Sequence, residues 1–189
     1  MTTARRYQRH GGGWVVVGEV RNSAPVPYSA VTVSATLVGA DGSPLATQRW
    51  RTPLRLLPSG EATPFALHFE PLGDEPAEMT FDVGGIPDEA AAARFSQSVE
   101  ADVEANAAPE VGVYTLSGTL LNPGAAIADL RVAAALYDGA GELLAVVSGT
   151  LDVARLGPQE SAPFSLTFYH AAEGEVASHR LWVEGEVAE

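Results

Sequence analysis

Gly18-Glu19-Val20-Arg21-Asn22 returns as Gly118-Thr119-Leu120-Leu121-Asn122, and the segments downstream of it return as well. Val31-Thr32-Val33-Ser34-Ala35-Thr36-Leu37 aligns with Leu130-Arg131-Val132-Ala133-Ala134-Ala135-Leu136. Asp41-Gly42 aligns with Ala140-Gly141, and Pro64-Phe65-Ala66-Leu67-His68-Phe69 with Pro163-Phe164-Ser165-Leu166-Thr167-Phe168. The offset is 100 and then 99, in the same order throughout. Self-similarity at a fixed period is the signature of a duplicated unit, so the sequence predicts two copies of one domain.

Within the copies the apolar residues recur with a period of two. Trp14, Val16 and Val20 share a face, as do Tyr114, Leu116 and Leu120. Val33, Ala35 and Leu37 alternate with Thr32, Ser34 and Thr36, and Phe65, Leu67 and Phe69 alternate with Ala66 and His68. Side chains of a strand point alternately to opposite faces, so this pattern predicts antiparallel strands with one buried and one wet face. Turn residues separate the runs: Asn22-Ser23-Ala24-Pro25, Asn122-Pro123-Gly124, Asp41-Gly42-Ser43 and Asp138-Gly139-Ala140-Gly141. Short strands with turns about every ten residues predict β-sandwiches. Last strands are expected at Met79 to Val83 and Leu181 to Val183.

Between the copies, Ile86-Pro87-Asp88-Glu89-Ala90-Ala91-Ala92-Ala93-Arg94-Phe95 predicts a short helix, from its proline, its acidic first turn and its alanine run. The alternation over 96–105 predicts the opening strand of the second copy, followed by a small loop over 105–109. The predicted fold is therefore all-β: two tandem immunoglobulin-like antiparallel β-sandwiches, over 1–85 and 96–189, joined by a partly helical connector over 86–95.

The repeated pattern resembles the FxLYD domain. The second copy carries the resemblance through Gly118, Leu120 and Asn122, Leu136-Tyr137-Asp138 with Gly141, and Phe164. The first carries it through Gly18, Val20 and Asn22, Leu37 with Asp41-Gly42, Pro58-Ser59-Gly60-Glu61, and Phe65, with Val38-Gly39 where the second has Tyr137-Asp138. The resemblance implies an immunoglobulin-like sandwich of bacterial proteins, often extracytoplasmic or on the cell surface, and carries over no catalytic residues.

Composition narrows the function. The 189 residues include no cysteine, and all eleven basic residues are arginine. Disulfides, thiol nucleophiles and zinc ribbons need Cys; Schiff-base chemistry and a Walker-type phosphate loop need Lys. A net charge of −13 argues against nucleic acid. No run approaches a membrane span, and the basic start, Met1 to His10, leads into glycines rather than an apolar signal core. The charge is uneven: +4 over residues 1–69, −10 over 70–110 and −7 over 111–189. This predicts attraction between a basic first copy and the acidic connector.

Candidate chemistry is sparse. His10, His68, His170 and His179 form no HExxH or HxH spacing, and His68 is expected to face solvent. Asp74, Glu75, Glu78 and Asp82 lack the spacing of a calcium loop; Glu100, Asp102 and Glu104 read as the wet face of a strand. Trp14, Phe65, Phe69, Phe164 and Phe168 are expected in cores, while Tyr28, Trp50, Tyr169 and Trp182 are unplaced, core or rim packing being favoured over an exposed aromatic platform suited to sugar. No catalytic, cofactor or metal residue is assigned. The expected function is a non-catalytic structural or protein-interaction module, meeting a protein partner through a sheet face or edge strand. The alternative is a ligand-binding module for carbohydrate or a divalent cation. Oligomeric state is left open.

Overall fold

The computed structural model describes residues 2–9, 11–108, 113–169 and 172–188. It is all-β, with antiparallel sheets and one short helix. The strands are β1 (Thr2–Gln8), β2 (Trp14–Arg21), β3 (Tyr28–Val38), β4 (Pro44–Arg51), β5 (Leu56–Leu57), β6 (Ala62–Phe69) and β7 (Glu78–Pro87). Then come α1 (Ala91–Arg94), β8 (Phe95–Ser96), β9 (Glu100–Ala108), β10 (Val113–Leu121), β11 (Ile127–Tyr137), β12 (Leu143–Thr150), β13 (Arg155–Leu156), β14 (Ser161–Phe168) and β15 (Ser178–Val187).

The same strand order occurs in each half. Sheet A runs β1-β2-β6, and sheet D runs β9-β10-β14. Sheet B has β3 between β4 and β7, with β5 on its end; sheet C has β11 between β12 and β15, with β13 on its end and β8 beyond β15. Trp14, Val16, Val20, Val33, Ala35, Leu37, Phe65, Leu67 and Phe69 form the core between sheets A and B. Leu116, Leu120, Val132, Ala134, Leu136, Phe164, Leu166 and Phe168 form the core between sheets C and D.

A third apolar layer joins the halves. Val15 and Val17 of β2, with Leu54, pack on Ala133 and Ala135 of β11, Leu143 and Trp182. The sheets therefore stack in the order B, A, C, D. This corrects the expectation of a wet face on β2 and β11: Val15, Val17, Ala133 and Ala135 are buried within 1%. The physical reason lies in the runs Val15-Val16-Val17 and Ala133-Ala134-Ala135, which are apolar on both faces, as in strands covered on both sides. Small side chains on β11 let the two sheets approach closely.

Loop positions share a logic. Buried Asn22 donates from Nδ2 to the carbonyls of Val26 (2.8 Å) and Leu57 (3.1 Å), and its Oδ1 accepts from the Ala24 amide. Asn122 does the same toward Ala125 (2.8 Å), Leu156 (3.0 Å) and the Gly124 amide. In both halves the central strand bulges where a non-glycine residue takes a left-handed conformation, Ala30 (φ 52°) in β3 and Asp129 (φ 46°) in β11.

The connector differs from expectation. Strand β7 continues through Pro87, so helix is confined to Ala91–Arg94, where the alanine run escapes pairing with sheet B. The expected loop over 105–109 is strand through Ala108, because β9 pairs with β10 as far as Ala108 opposite Val113. The closing strands extend beyond the expected segments for the same reason, each pairing along its central neighbour.

Candidate binding groove

The sequence candidates separate by position. His10 and His170 lie outside the described residues. His68 on β6 is exposed, as expected from the alternation, and His179 is exposed on β15. Asp74, Glu75, Glu78, Asp82, Glu100, Asp102 and Glu104 are exposed. Among the described residues, no three His, Asp or Glu side chains gather as a metal-binding group. The buried carboxylate is instead Glu184, which sequence reading did not single out.

Glu184 belongs to the junction of the halves. Its oxygens accept from the Arg55 amide (3.0 and 3.1 Å), Arg55 Nε (2.9 Å), the Leu56 amide (2.8 Å) and Gln97 Nε2 (3.2 Å). Arg55 also donates to Asp129, through Oδ2 (2.5 Å) and the backbone carbonyl (2.9 Å), and stacks 4.6 Å above Phe95. A buried charge is tolerated when it is paired and fully hydrogen-bonded. With this many donors fixed on it, Glu184 is a structural anion. Trp182 adds Nε1 to the Ala62 carbonyl at 2.9 Å, and Tyr137 donates to Glu19 Oε1 at 2.8 Å. That phenol's pKa is pushed up, first by burial and then by its bond to Glu19.

Of the four unplaced aromatics, Tyr28 packs against the first core and Trp182 is buried in the junction. Trp50 is 70% exposed and Tyr169 68% exposed. Both line one groove, made of two abutting hollows. The larger, about 410 Å³, is lined by Arg49, Trp50 and Arg51 of β4, Phe65 to His68 of β6, and Val146 to Ser148 of β12. The smaller, about 200 Å³, shares His68, Val146 and Val147 and adds Tyr7, Arg9 and Tyr169.

Stacking explains why the groove exists. Sheet A ends at β6, which packs against β4 of sheet B on one side and β12 of sheet C on the other. Trp50 lies opposite Val33, on the face of sheet B that looks toward sheet A; Val146 lies opposite Ala135, on the face of sheet C that looks toward sheet A. Strand β6 is the floor, and β4 and β12 are the walls. The groove thus needs both halves of the chain.

Among the described residues, Arg9, Arg49 and Arg51 form no ion pair; Arg49 donates to Thr32 Oγ1 at 3.3 Å. Desolvation lowers the His68 pKa, and the Arg9 charge lowers it further. Burial pushes the Tyr7 hydroxyl up to about 12, against a smaller opposing pull from Arg9. Arg9 is thus the cation beside His68, whereas Arg49 and Arg51, opposite Ser34 and Thr32, lie on the outer face of sheet B. Sequence reading marked Trp50 and Tyr169 as unplaced but did not bring them to one groove, because only the stacking of sheets B, A and C does so.

No family model matches the chain, and no curated protein matches it. Solved structures do match. A red sea bream transglutaminase aligns over 98% of this chain and 29% of its own, at 14% identity and a TM-score of 0.30. A calcium-binding mutant of Bacteroides uniformis β-glucuronidase 2 aligns over 89% and 23%, at 11% identity and 0.28. A putative β-galactosidase from Bacteroides fragilis aligns over 91% and 32%, at 13% identity and 0.27. The chain spans less than a third of the length of each of these. At these scores the likenesses carry no argument about activity.

Proposed function

We infer that the chain is a non-catalytic interaction module, built from a duplicated FxLYD-like sandwich, which docks a partner in the groove between β4, β6 and β12. One observation carries this reading. The groove combines the exposed indole of Trp50 with the Arg9 guanidinium, which no described carboxylate pairs. Exposed aromatics with adjacent arginine are enriched where binding energy concentrates. The resemblance to FxLYD domains is supported by Asn22 and Asn122, which tie corresponding loops with corresponding bonds. The buried polar groups serve structure: Glu184 is saturated by Arg55, Leu56 and Gln97.

The test is binding of the full chain to arrayed glycans and arrayed peptides, read for wild type and Trp50→Ala in parallel. At least one binder is expected whose signal falls tenfold or more in the variant. Trp50 is largely exposed, so the variant keeps its fold. Binders indifferent to Trp50→Ala, or turnover of any arrayed compound, would contradict the reading.

A further inference from the structure

We propose that the edge of β7 at Gly85 and Ile86 takes an extended segment of a partner protein carrying Phe-Ser-x-x-Val, as residues 95–99 cover the matching edge of β15. The duplication supplies the comparison. Thr32 of β3 and Arg131 of β11 are matching positions, and they pair with Gly84 and Glu184. Gly85 and Ile86 therefore stand where the second half has Gly185 and Glu186. There, β8 pairs with the edge of β15, Ser96 opposite Gly185 and Phe95 opposite Glu186. Residues 97–99 then cross to β9, whose Glu100 and Ala101 lie opposite Leu121 and Leu120 of β10. In the first half, β7 pairs with β3 alone among the described residues. Strand β1 is described from Thr2 opposite Val20, the position that Ala101 holds opposite Leu120. No described residue fills the place of residues 95–99.

A hollow marks that place. About 210 Å³ opens between the end of β2 and the edge of β7, against Val20, Tyr28, Val31, Leu57, Val83 and Gly85. It matches the span between Leu121 and Gly185 that residues 97–99 cross in the second half. The exposure of matching side chains follows. Val99 packs on the second core, where Val183 is 7% exposed. Val83, at the matching position of β7, is 41% exposed, and Ile86 is 59% exposed. Two exposed aliphatic side chains beside an unpaired strand edge are the elements of recognition by strand addition.

The second half also defines the chemistry of the guest. Residues directly opposite in an antiparallel pair share a face of the sheet. Phe95, opposite Glu186, lies 4.6 Å from the Arg55 guanidinium that Glu186 also meets. On β7 the residue facing that position is Ile86, so a guest Phe gains an apolar cross-strand partner in place of an ionic neighbour. Four residues on, a guest Val enters the hollow among Val20, Val31 and Val83, as Val99 packs on its own core. The position of Gln97 is free in the guest, because Gln97 bonds to Glu184 and β7 has Gly84 there. A sugar would fill the hollow but leave the backbone edge of Gly85 and Ile86 without the partners that a strand supplies.

The experiment titrates the full chain with the capped peptide Arg-Phe-Ser-Gln-Ser-Val up to millimolar concentration, followed by amide NMR shifts and hydrogen exchange. Saturable shifts are expected at Val83, Gly85, Ile86 and Val20, with slowed amide exchange within residues 84–86. Affinity should fall tenfold or more when Asp replaces the Val of the peptide, and in Ile86→Arg. Ile86 is largely exposed, so that variant keeps its fold. Trp50→Ala should bind the peptide as wild type does, which separates this site from the groove. No saturable shift at millimolar peptide would overturn the proposal. So would shifts confined to β15 or to the groove, unchanged exchange within residues 84–86, or affinity that tolerates both the Asp peptide and Ile86→Arg.

Discussion

At the scale of single residues, the two halves show which positions are constrained by chemistry. Asn22 and Asn122 are buried because each satisfies loop carbonyls that would otherwise lose water. Their repetition was legible in the sequence; their role was not, since an asparagine after a strand also marks an exposed turn. Gly60 and Gln159 occupy corresponding turns at φ 78° and 60°. Only glycine takes that conformation without strain. Gln159→Gly is expected to stabilise the protein by about 1 kcal/mol, read by chemical denaturation. His68 has its own signature. Desolvation and Arg9 lower its pKa, so the folded protein binds fewer protons there than the unfolded chain. Its contribution to stability is intact above the unfolded value of about 6.5 and is lost as pH falls through the folded value. An NMR titration is expected to place its midpoint below 6.5, and Arg9→Gln should raise that midpoint only in part, because desolvation is the larger cause.

At the scale of elements, alternation located the strands well and their surroundings less well. In β3 and β6 the predicted inward residues Val33, Ala35, Leu37, Phe65, Leu67 and Phe69 are buried. In β2 and β11 both faces are covered. The period-two reading sees contrast between neighbours, and Val15-Val16-Val17 offers none. The overlooked signal was that run itself, too apolar for a strand with one wet face. The strand β1 went unread because Arg5 and Arg6 disguise it; their guanidiniums bond outward to the carbonyls of Glu173 and Pro76. Covering of the second face is testable. Val17→Thr keeps the shape of the side chain and adds a hydroxyl facing sheet C. It is expected to cost about 1–2 kcal/mol, whereas Arg21→Thr, on the exposed end of β2, should change stability little. Equal effects would mean that the outer face of β2 is wet.

At the scale of the whole molecule, the uneven charge suggested a basic half held to an acidic connector. The structure places the restraint elsewhere. Asp88 of the connector pairs within it, with Arg94, while Arg55 reaches Glu184, Asp129 and Glu186 of the second half. The larger tie is the dry layer of Val15, Val17, Leu54, Ala133, Ala135 and Trp182, which salt does not screen. Such a layer was hidden from the sequence, because nothing in either copy read alone says which of its outward faces meets the other. The groove depends on that layer, since β4 and β12 come from different halves and flank β6 only while sheets A and C stay in contact. Small-angle scattering at low and at high salt tests this most directly. One curve is expected at both salts, superimposing on that of the stacked sheets B, A, C and D. A larger radius of gyration that grows with added salt would mean that the halves swing on a charged hinge, and would contradict the stacking.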